Sequence, residues 1–420
     1  MREVFIKEIK IAEVRHLKEL NIPVSETERK HLILTGKNGS GKTSLLDAVA
    51  LYLRYNTEKY RKIPKKAEES QKIDYLLDQN VMVEMVRETQ RESEMIRRVL
   101  CYYQGFLNMA NTGIQISFNL PMDEIMAEYE DGQMIFAYYK AERIFQTEIP
   151  HHVEKVKLKD CYAMFDVPRQ EFVKYLLDLK TTEALALAGG KTEKARKIQN
   201  WFAQFQALLR RIFEDDTLEL QFDEDTFTFQ LAEAGRHPFG FNELSSGYAA
   251  VLDIVVDLMM RMEKQNQKSF AFELPGIVLI DEIETHLHLE MQKKVLDFLT
   301  AIFPNIQFVV STHSPFILNS LENAVIYDLE RHIFVENGLS NVPYDGIVEG
   351  YFQADKMSAS LREKFERYKF LVNKKELTDE DFEEIARLEM FLEEIPDYLA
   401  LDITTEYQKL RLAFEAREDL

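Results

Sequence analysis

The sequence lacks the features that define several other classes of protein. Its 420 residues contain only two cysteines, Cys101 and Cys161, so a disulfide framework is excluded and reduced thiols in a cytoplasmic protein are expected. Glycine and proline are scarce, at 15 and 11 residues, and 46% of the residues are hydrophobic, which excludes collagen-like, low-complexity and disordered chains. No apolar run approaches the ~20 residues of a membrane span, and charges interrupt the N-terminal region, so neither a membrane segment nor a signal peptide is expected.

Positive charge is also under-represented. The chain has 52 Lys and Arg against 72 Asp and Glu, a formal net charge of −20. Binding along a nucleic-acid backbone needs clustered positive charge, so broad, non-specific coating of nucleic acid is not expected. The length exceeds what one hydrophobic core usually fills, and we expect either one large domain with insertions or two lobes.

The most specific pattern is a glycine-rich loop, Gly36-Lys37-Asn38-Gly39-Ser40-Gly41-Lys42-Thr43. It follows the apolar run 31–35 and opens a segment with helical spacing, which is the strand–loop–helix context of a phosphate loop. Glycines let backbone N–H groups point into one nest, and the helix N-terminus adds partial positive charge. Lys42 would reach the β- and γ-phosphates, and Thr43 would offer its hydroxyl to Mg²⁺. The candidate nucleotide contacts are Gly36, Asn38, Gly39, Ser40, Gly41, Lys42, Thr43 and Ser44.

Two carboxylates end the apolar run 276–280. A buried strand would bring Asp281 and Glu282 to the carboxyl edge of a sheet, where open α/β sheets bind ligands. There Asp281 can hold Mg²⁺, and Glu282 can orient or deprotonate an attacking water. The alternative is an ordinary strand end with solvated acids. The phosphate loop upstream argues against this alternative.

His313 follows another apolar run, 308–310, which points to the same edge. A neutral imidazole there could donate a hydrogen bond to a γ-phosphate. A polar residue in an ordinary strand–helix loop is the alternative. It is disfavoured by the neighbouring strand that carries Asp281 and Glu282.

A small-residue segment, Ser245-Ser246-Gly247, precedes a helical pattern. One of the serines would cap that helix, and this alone explains the segment. The functional interpretation is a second anion site at a helix N-terminus. The residues themselves leave these two interpretations open.

In this order, the motifs resemble those of ABC-type ATPases. The branch that contains SMC, RecF and the OLD-type nuclease ATPases is the most similar, because of residues 281–289 and of Ser311-Thr312-His313-Ser314-Pro315. The resemblance covers residues 1–55 and about 240–330. It implies ATP and Mg²⁺ as cofactors and an α/β, ABC-type P-loop ATPase head. Such a head has a mostly parallel sheet flanked by helices, an N-terminal antiparallel β-subdomain, a short helical-hairpin insertion and, here, a helical C-terminal tail.

On that basis we predict four segments. An ATPase lobe with the phosphate loop and an insertion spans 1–150, and a helical hairpin spans 151–215. A second ATPase lobe spans 216–345, and an acidic helical tail spans 346–420.

The resemblance also implies a shared active site. ATP would be held between two copies of the chain in a homodimer, with Asp281 and Glu282 acting in cis. The segment Ser245-Ser246-Gly247 would act in trans, His313 would be the switch histidine, and Glu284 would lie near the dimer seam. Tyr248 departs from the polar residue usual after the glycine, which leaves its contacts open.

Other candidates rest on weaker signals. Gln146 is our choice for the glutamine that completes the Mg²⁺ shell, although a polar strand end explains it equally well. Arg143 would contact nucleotide or a partner, or else lie on a solvated edge, which is the more common situation. Arg15 and His16 would flank the adenine.

Tail and ATPase core together resemble the ATPase subunits of anti-phage systems such as Septu and its retron-linked relatives. There a separate effector, a nuclease, is controlled by the ATPase. Apolar positions of the tail either dock such an effector or pack on the tail's own core, and Asp379-Glu380-Asp381 is interpreted as helix-capping acids rather than as a metal site.

The alternative function is that of a RecF-like DNA-repair ATPase. Two basic clusters could contact DNA, and the second lies on the predicted helical hairpin. The first comprises Lys59, Arg61, Lys62, Lys65 and Lys66, and the second comprises Lys191, Lys194, Arg196, Lys197, Arg210 and Arg211. A transporter ATPase is disfavoured, and no membrane partner is expected.

Overall fold

The computed structural model describes residues 2–62, 113–150, 152–267, 269–343, 346–347, 359–393 and 401–417. The chain forms two compact units, Met1–Val342 and Pro343–Leu420, and each is described by itself. Cys101, Lys65 and Lys66 lie outside the described residues, as do the side chains of Lys59, Arg61 and Lys62. The finer segment boundaries given above remain predictions.

The first unit contains both strands and helices. The strands are β1 (Ile6–Val14), β2 (Leu17–Pro23), β3 (His31–Thr35), β4 (Ile114–Phe118), β5 (Ile135–Tyr139), β6 (Glu219–Asp223), β7 (Thr228–Ala232), β8 (Gly276–Ile280), β9 (Ile306–Ser311), β10 (Ala324–Asp328) and β11 (Ile333–Val335). The helices are α1 (Lys42–Lys62), α2 (Met122–Glu130), α3 (Phe172–Ala188), α4 (Thr192–Phe213), α5 (Ser246–Asn266), α6 (Leu289–Ile302) and a single turn at Pro315–Leu318.

The central sheet has six described strands in the order β11-β10-β3-β9-β8-β5. All neighbours are parallel except β11, which runs antiparallel to β10. Every residue of β3, β5, β8, β9 and β10 is buried, as expected for parallel strands covered on both faces. The predicted α/β fold class with a mostly parallel sheet is confirmed.

This topology sets the position of the candidate site. The carboxyl ends of β3, β9, β8 and β5 lie side by side, because these strands are parallel neighbours. The phosphate loop follows β3, and Asp281 follows β8. His313 comes two residues after the end of β9. Side chains from distant parts of the sequence therefore meet at one edge.

An antiparallel sheet of order β2-β1-β4 forms the predicted N-terminal β-subdomain. One apolar cluster joins it to α1 and to the central strands, through residues such as Ile9, Leu46 and Ile277. The buried side chain of Gln307 links the two sheets. It accepts the Ile6 N–H at 2.7 Å and donates to Lys30 O at 2.8 Å.

Helices α3 and α4 form the predicted hairpin, and Gly190, with a φ of +69°, lies in its turn. The hairpin is anchored to α5 through a buried carboxylate. Tyr175 and Trp201 both donate to Glu263, at 2.8 and 3.3 Å.

The second unit contains three described helices, α7 (Ala359–Val372), α8 (Asp379–Glu393) and α9 (Leu401–Glu415). The apolar positions predicted to give amphipathic faces lie in the core of this unit, as Tyr368, Leu371 and Ile385 illustrate. Thr378 N–H donates to the Asp381 carboxylate at 2.9 Å, and Asp381 N–H donates back to the Thr378 hydroxyl at 3.3 Å. The capping interpretation is thereby confirmed for Asp381.

Candidate functional site

The loop between β3 and α1 has the backbone of a phosphate-binding nest. Gly36, Gly39 and Gly41 have φ values of +131°, +83° and +100°, which side chains rarely adopt. A Cβ at Gly36 would also lie 2.8 Å from Ser40 Oγ. Ser40 Oγ is buried and has no hydrogen-bond partner in the described part of the chain. The loop therefore contains a polar atom that a bound anion can satisfy.

Lys42 is folded back over this loop. Its ammonium group donates to the carbonyls of Gly36, at 2.8 Å, and Lys37, at 3.1 Å. Burial lowers the pKa of Lys42, and the nearby carboxylates, Glu282 first, oppose that shift. The lysine is thus a buried cation that lies beside the loop.

Asp281 connects the loop to the rest of the sheet edge. Its Oδ2 accepts a hydrogen bond of 2.8 Å from the Thr43 hydroxyl, and its Oδ1 accepts one of 2.5 Å from the Ser311 hydroxyl. Asp281 is only 3% exposed. A carboxylate and a hydroxyl brought together from 238 residues apart form the oxygen donor set that Mg²⁺ prefers.

Glu282 lies in a tight turn directly after Asp281. Its φ is +45°, and its N–H donates to Ser311 Oγ at 2.8 Å. Thr285 Oγ1 lies 3.3 Å from Glu282 Oε2. The turn directs a carboxylate to the same edge as the phosphate loop.

Glu284 and His313 are in direct contact. The backbone N–H of His313 donates to Glu284 Oε1 at 2.5 Å, whereas Glu284 Oε2 is buried without a partner among the described residues. Burial lowers the pKa of His313, and the positive charge of Lys42 lowers it further. The lowered pKa favours the neutral imidazole, which is the form that the sequence interpretation requires.

A cavity of about 520 Å³ adjoins the phosphate loop. His16 lies in its wall together with Asn38 and Gly39, whereas Arg15 does not line it. Glu330 and His332, which follow β10, also line this cavity, and Glu330 forms an ion pair of 2.7 Å with Lys37 of the loop. Sequence analysis missed these two residues; the available signal was the apolar run 324–328, which ends in polar residues like the other strands of this edge.

Ser245, Ser246 and Gly247 form the N-terminus of α5. Ser245 occupies the capping position, but its side chain makes no capping hydrogen bond, so the capping interpretation is not supported in that form. Both serines are exposed, and Gly247 is buried against His286, whose carbonyl would lie 3.1 Å from a Cβ at this position. No described hydrogen bond joins this segment to the phosphate loop of the same chain.

The structure also gives the surroundings of Tyr248 and Gln146, whose contacts or roles the sequence left open. Tyr248 stacks on Phe213 of α4, with ring centroids 4.3 Å apart, so it packs within its own chain. Gln146 is exposed, and in the described structure it makes no hydrogen bond to Thr43 or Asp281. Its place in a Mg²⁺ shell stays a prediction.

Arg143 was assigned to a solvated edge or to a nucleotide or partner contact, and the solvated-edge assignment is wrong. The residue is 3% exposed, and its guanidinium group donates to backbone carbonyls of the turn that follows β8. An arginine that follows a strand gives no sequence signal of this role.

Comparison with known proteins adds the family context. A family model described as "AAA domain, putative AbiEii toxin, Type IV TA system" matches residues 191–319, which contain Ser245, Asp281 and His313 but not the phosphate loop. The Septu protein PtuA of Bacillus mycoides (strain KBAB4) is 24% identical over 428 residues, covering 97% of this chain and 53% of that protein. Residues 191–319 are thus similar to an AAA-family ATPase domain. The chain is homologous to PtuA and, over 148 residues, to the Retron Ec83 probable ATPase of Escherichia coli.

The match to the retron protein is 31% identical and covers 33% of this chain and 27% of that protein. The chain therefore spans about half the length of the first relative and about a quarter of the second. Among solved structures, an SMC head bound to the C-winged helix domain of ScpA is 16% identical, with a TM-score of 0.35, and covers 77% of this chain and 93% of that one.

Within the described residues, no group of His, Cys, Asp and Glu side chains has the arrangement of a self-contained metal site. The same residues include no helix that is long and apolar enough to cross a membrane.

Proposed function

We propose that this chain binds and hydrolyses ATP at the edge formed by the phosphate loop and Asp281-Glu282. The observation that carries the proposal is the hydrogen bond between Thr43 and Asp281, which joins the loop to the acidic strand end. Glu282 lies next to this pair. A phosphate nest, an oxygen donor set and a carboxylate beside them are the components that phosphoryl transfer to water requires.

The residues fit a nucleotide and its metal ion. Ser40 Oγ lacks a partner in the described structure, and Lys42 donates only to loop carbonyls that phosphate oxygens can replace. Thr43 and Asp281 would hold Mg²⁺, which when bound neutralises charge on the phosphates.

The chain's own groups have separable tasks. Lys42 binds the terminal phosphates, and Glu282 orients a water molecule and accepts its proton as the water oxygen attacks the γ-phosphorus. The bond to the β-γ bridging oxygen breaks, and the products are ADP and phosphate. Neutral His313 can donate a hydrogen bond to the γ-phosphate, which links this residue to the presence of ATP.

We further propose that two copies of the chain share ATP. Ser245 and Ser246 are exposed at the N-terminus of α5 and make no hydrogen bond to the loop of their own chain. In a two-fold dimer each segment would face the loop of the partner, so ATP would stabilise the dimer and hydrolysis would weaken it.

The biological role we propose is control of an associated effector, a nuclease, in anti-phage defence. The support is homology to a Septu protein and to a retron ATPase. The second candidate, a DNA-repair ATPase, is favoured by one observation: Lys191, Lys194, Arg196 and Lys197 are all exposed at the start of α4.

Two substitutions test the chemistry. Glu282→Gln should keep ATP binding and accumulate an ATP-bound dimer, because it removes the proton acceptor but not the phosphate contacts. Lys42→Ala should lose ATP binding and the dimer together. Nucleotide retention and sedimentation with and without ATP measure both, and wild-type turnover by Glu282→Gln would contradict the assignment.

Affinity purification of tagged Glu282→Gln protein from its native host, with ATP present, separates the two roles. A nuclease recovered in stoichiometric amount supports effector control. Recovery of DNA without a protein partner supports the repair role and a DNA contact by the basic residues of α4.

A further inference from the structure

The turn after β8 holds Glu282 in an unusual backbone conformation. The φ of +45° lies in the left-handed region, which is strained for a residue with a side chain. This conformation must therefore be held by its surroundings. The N–H groups of the turn are bound by neighbouring strands: Asp281 N–H donates to Tyr139 O at 2.8 Å, and Ile283 N–H donates to Ser311 O at 3.1 Å.

Three successive carbonyl groups of the same turn accept hydrogen bonds from one side chain, and the Glu282 carbonyl also accepts the Thr285 N–H at 2.9 Å. Arg143 Nη1 donates to Asp281 O at 2.7 Å. Its Nη2 donates to Glu282 O at 2.8 Å and to Ile283 O at 3.2 Å. Three successive carbonyls on both sides of the strained residue therefore converge on one guanidinium group.

The guanidinium group suits this task for a geometric reason. It presents donors in a planar, rigid fork, whereas a lysine ammonium concentrates its donors on one atom. Arg143 Nη1 also donates to Lys140 O at 3.1 Å, which ties the fork to the segment that follows β5. The side chain is 3% exposed, so it makes these contacts in a largely buried environment.

Nearby carboxylates favour the charged form of the buried Arg143 guanidinium group. Burial lowers the pKa of Arg143, while the carboxylates of Asp253, Glu284 and Asp281 act in the opposite direction. Arginine remains charged under these conditions. Its positive charge thus balances part of the acidic cluster around the turn.

We propose that Arg143 is a positioning residue that aims the Glu282 carboxylate by fixing the backbone of its turn. The proposal rests on the proposed ATPase function. It assigns Arg143 no contact with ATP. Loss of the fork should therefore reduce turnover while leaving ATP binding intact.

The test is Arg143→Lys in the full chain, which keeps the charge but removes the fork. We expect the affinity for a fluorescent ATP analogue to stay within about twofold, while kcat falls by about tenfold to a hundredfold, the scale of a misplaced reacting group. The variant should also retain ATP and its dimer, as predicted for Glu282→Gln.

Arg169→Lys is the matched control. Arg169 is a mostly buried arginine that pairs with Asp253 and Asp257 on α5, and in the described structure it donates to no carbonyl of the turn. The Arg169→Lys variant should be less stable than the wild type, without a comparable loss of kcat. Arg143→Ala, assayed with and without added guanidinium ion at low concentration, is a second test, and partial rescue of kcat is expected.

Three results would overturn the assignment of Arg143: normal kcat in Arg143→Lys, equal loss of ATP binding and kcat, or the same kcat loss in Arg169→Lys. Failure of the proposed function is distinguishable from these results. In that case the wild-type chain itself would release no phosphate from ATP.

Discussion

At the scale of single residues, the candidate site depends on a few buried hydroxyl groups. Ser311 is fully buried, and its hydroxyl both donates to Asp281 Oδ1 and accepts the Glu282 N–H. Thr43 holds the other carboxylate oxygen. These hydrogen bonds to both of its oxygens orient the Asp281 carboxylate.

Ser311→Ala should therefore weaken both stability and metal use. It leaves a buried carboxylate oxygen and a partly buried N–H without this partner, which costs about 1–3 kcal/mol of unfolding free energy. We expect the Mg²⁺ concentration for half-maximal ATPase activity to rise. Ser314→Ala is the control, since Ser314 caps the short helix at Pro315–Leu318 and contacts Gln292. An unchanged Mg²⁺ requirement in Ser311→Ala would contradict this account.

His31 makes the stability of the first unit sensitive to pH. It is buried in β3, where Nδ1 accepts the Phe308 N–H at 3.1 Å, and burial lowers its pKa from 6.5 to about 4. The unfolded chain therefore takes up the proton first, and stability falls as the pH drops from about 6.5 towards 4. His31→Asn keeps an acceptor but cannot titrate.

Between about pH 7 and about pH 5, His31→Asn should lose about 2 kcal/mol less unfolding free energy than the wild type. Fluorescence of Trp201, the single tryptophan of the sequence, follows urea unfolding of this unit. Identical pH dependence in both proteins would show that His31 is not the responsible group.

At the scale of elements, the sequence predicts this edge of the sheet well. Each apolar run that ends in a motif forms a buried parallel strand, because strands covered on both faces leave a continuous hydrophobic signal. The phosphate loop, Asp281 and His313 are found through such local patterns.

Contacts that depend on strand order are not predictable in the same way. Arg143 meets the turn at Asp281 only because β5 lies beside β8, and 138 residues separate the two. No local sequence pattern indicates that β5 and β8 are neighbours in the sheet. Tyr248 is similar, since its partner Phe213 lies on a different helix. Glu330 and His332 enter the cavity wall because β10 pairs with β3.

The start of α8 gives a test at this scale. Asp381 accepts hydrogen bonds from Thr378 and pairs with Lys374, and these contacts lower its pKa to about 2. Asp381→Ala should speed amide hydrogen exchange in the first turn of α8 by about two- to tenfold, since the cap is lost. Asp379→Ala, at an exposed position two residues earlier in the acidic run, is the control. Equal protection in both variants would contradict the capping account.

At the scale of the whole molecule, the proposed dimer makes a prediction that one chain alone cannot satisfy. Each active site would combine the phosphate loop of one chain with the Ser246 segment of the other. Lys42→Ala and Ser246→Arg should each be inactive alone. Mixed in equal amounts, they form some heterodimers that contain one intact site.

The mixture should recover about a quarter of the wild-type rate per chain, if subunits exchange at random and sites act independently. Phosphate release from the two variants, separately and mixed, measures this directly. Absence of recovery, with exchange verified by differently tagged chains, would contradict a shared site.

The most direct test of the central claim is single-turnover hydrolysis of ATP by the purified wild-type chain and by Glu282→Gln. We expect the wild type to convert bound ATP to ADP and phosphate in the presence of Mg²⁺. Glu282→Gln should bind the same amount of ATP. It should convert this ATP at least about a hundredfold more slowly, because the proton acceptor is lost. Equal conversion by both proteins, or no conversion by the wild type, would contradict the account.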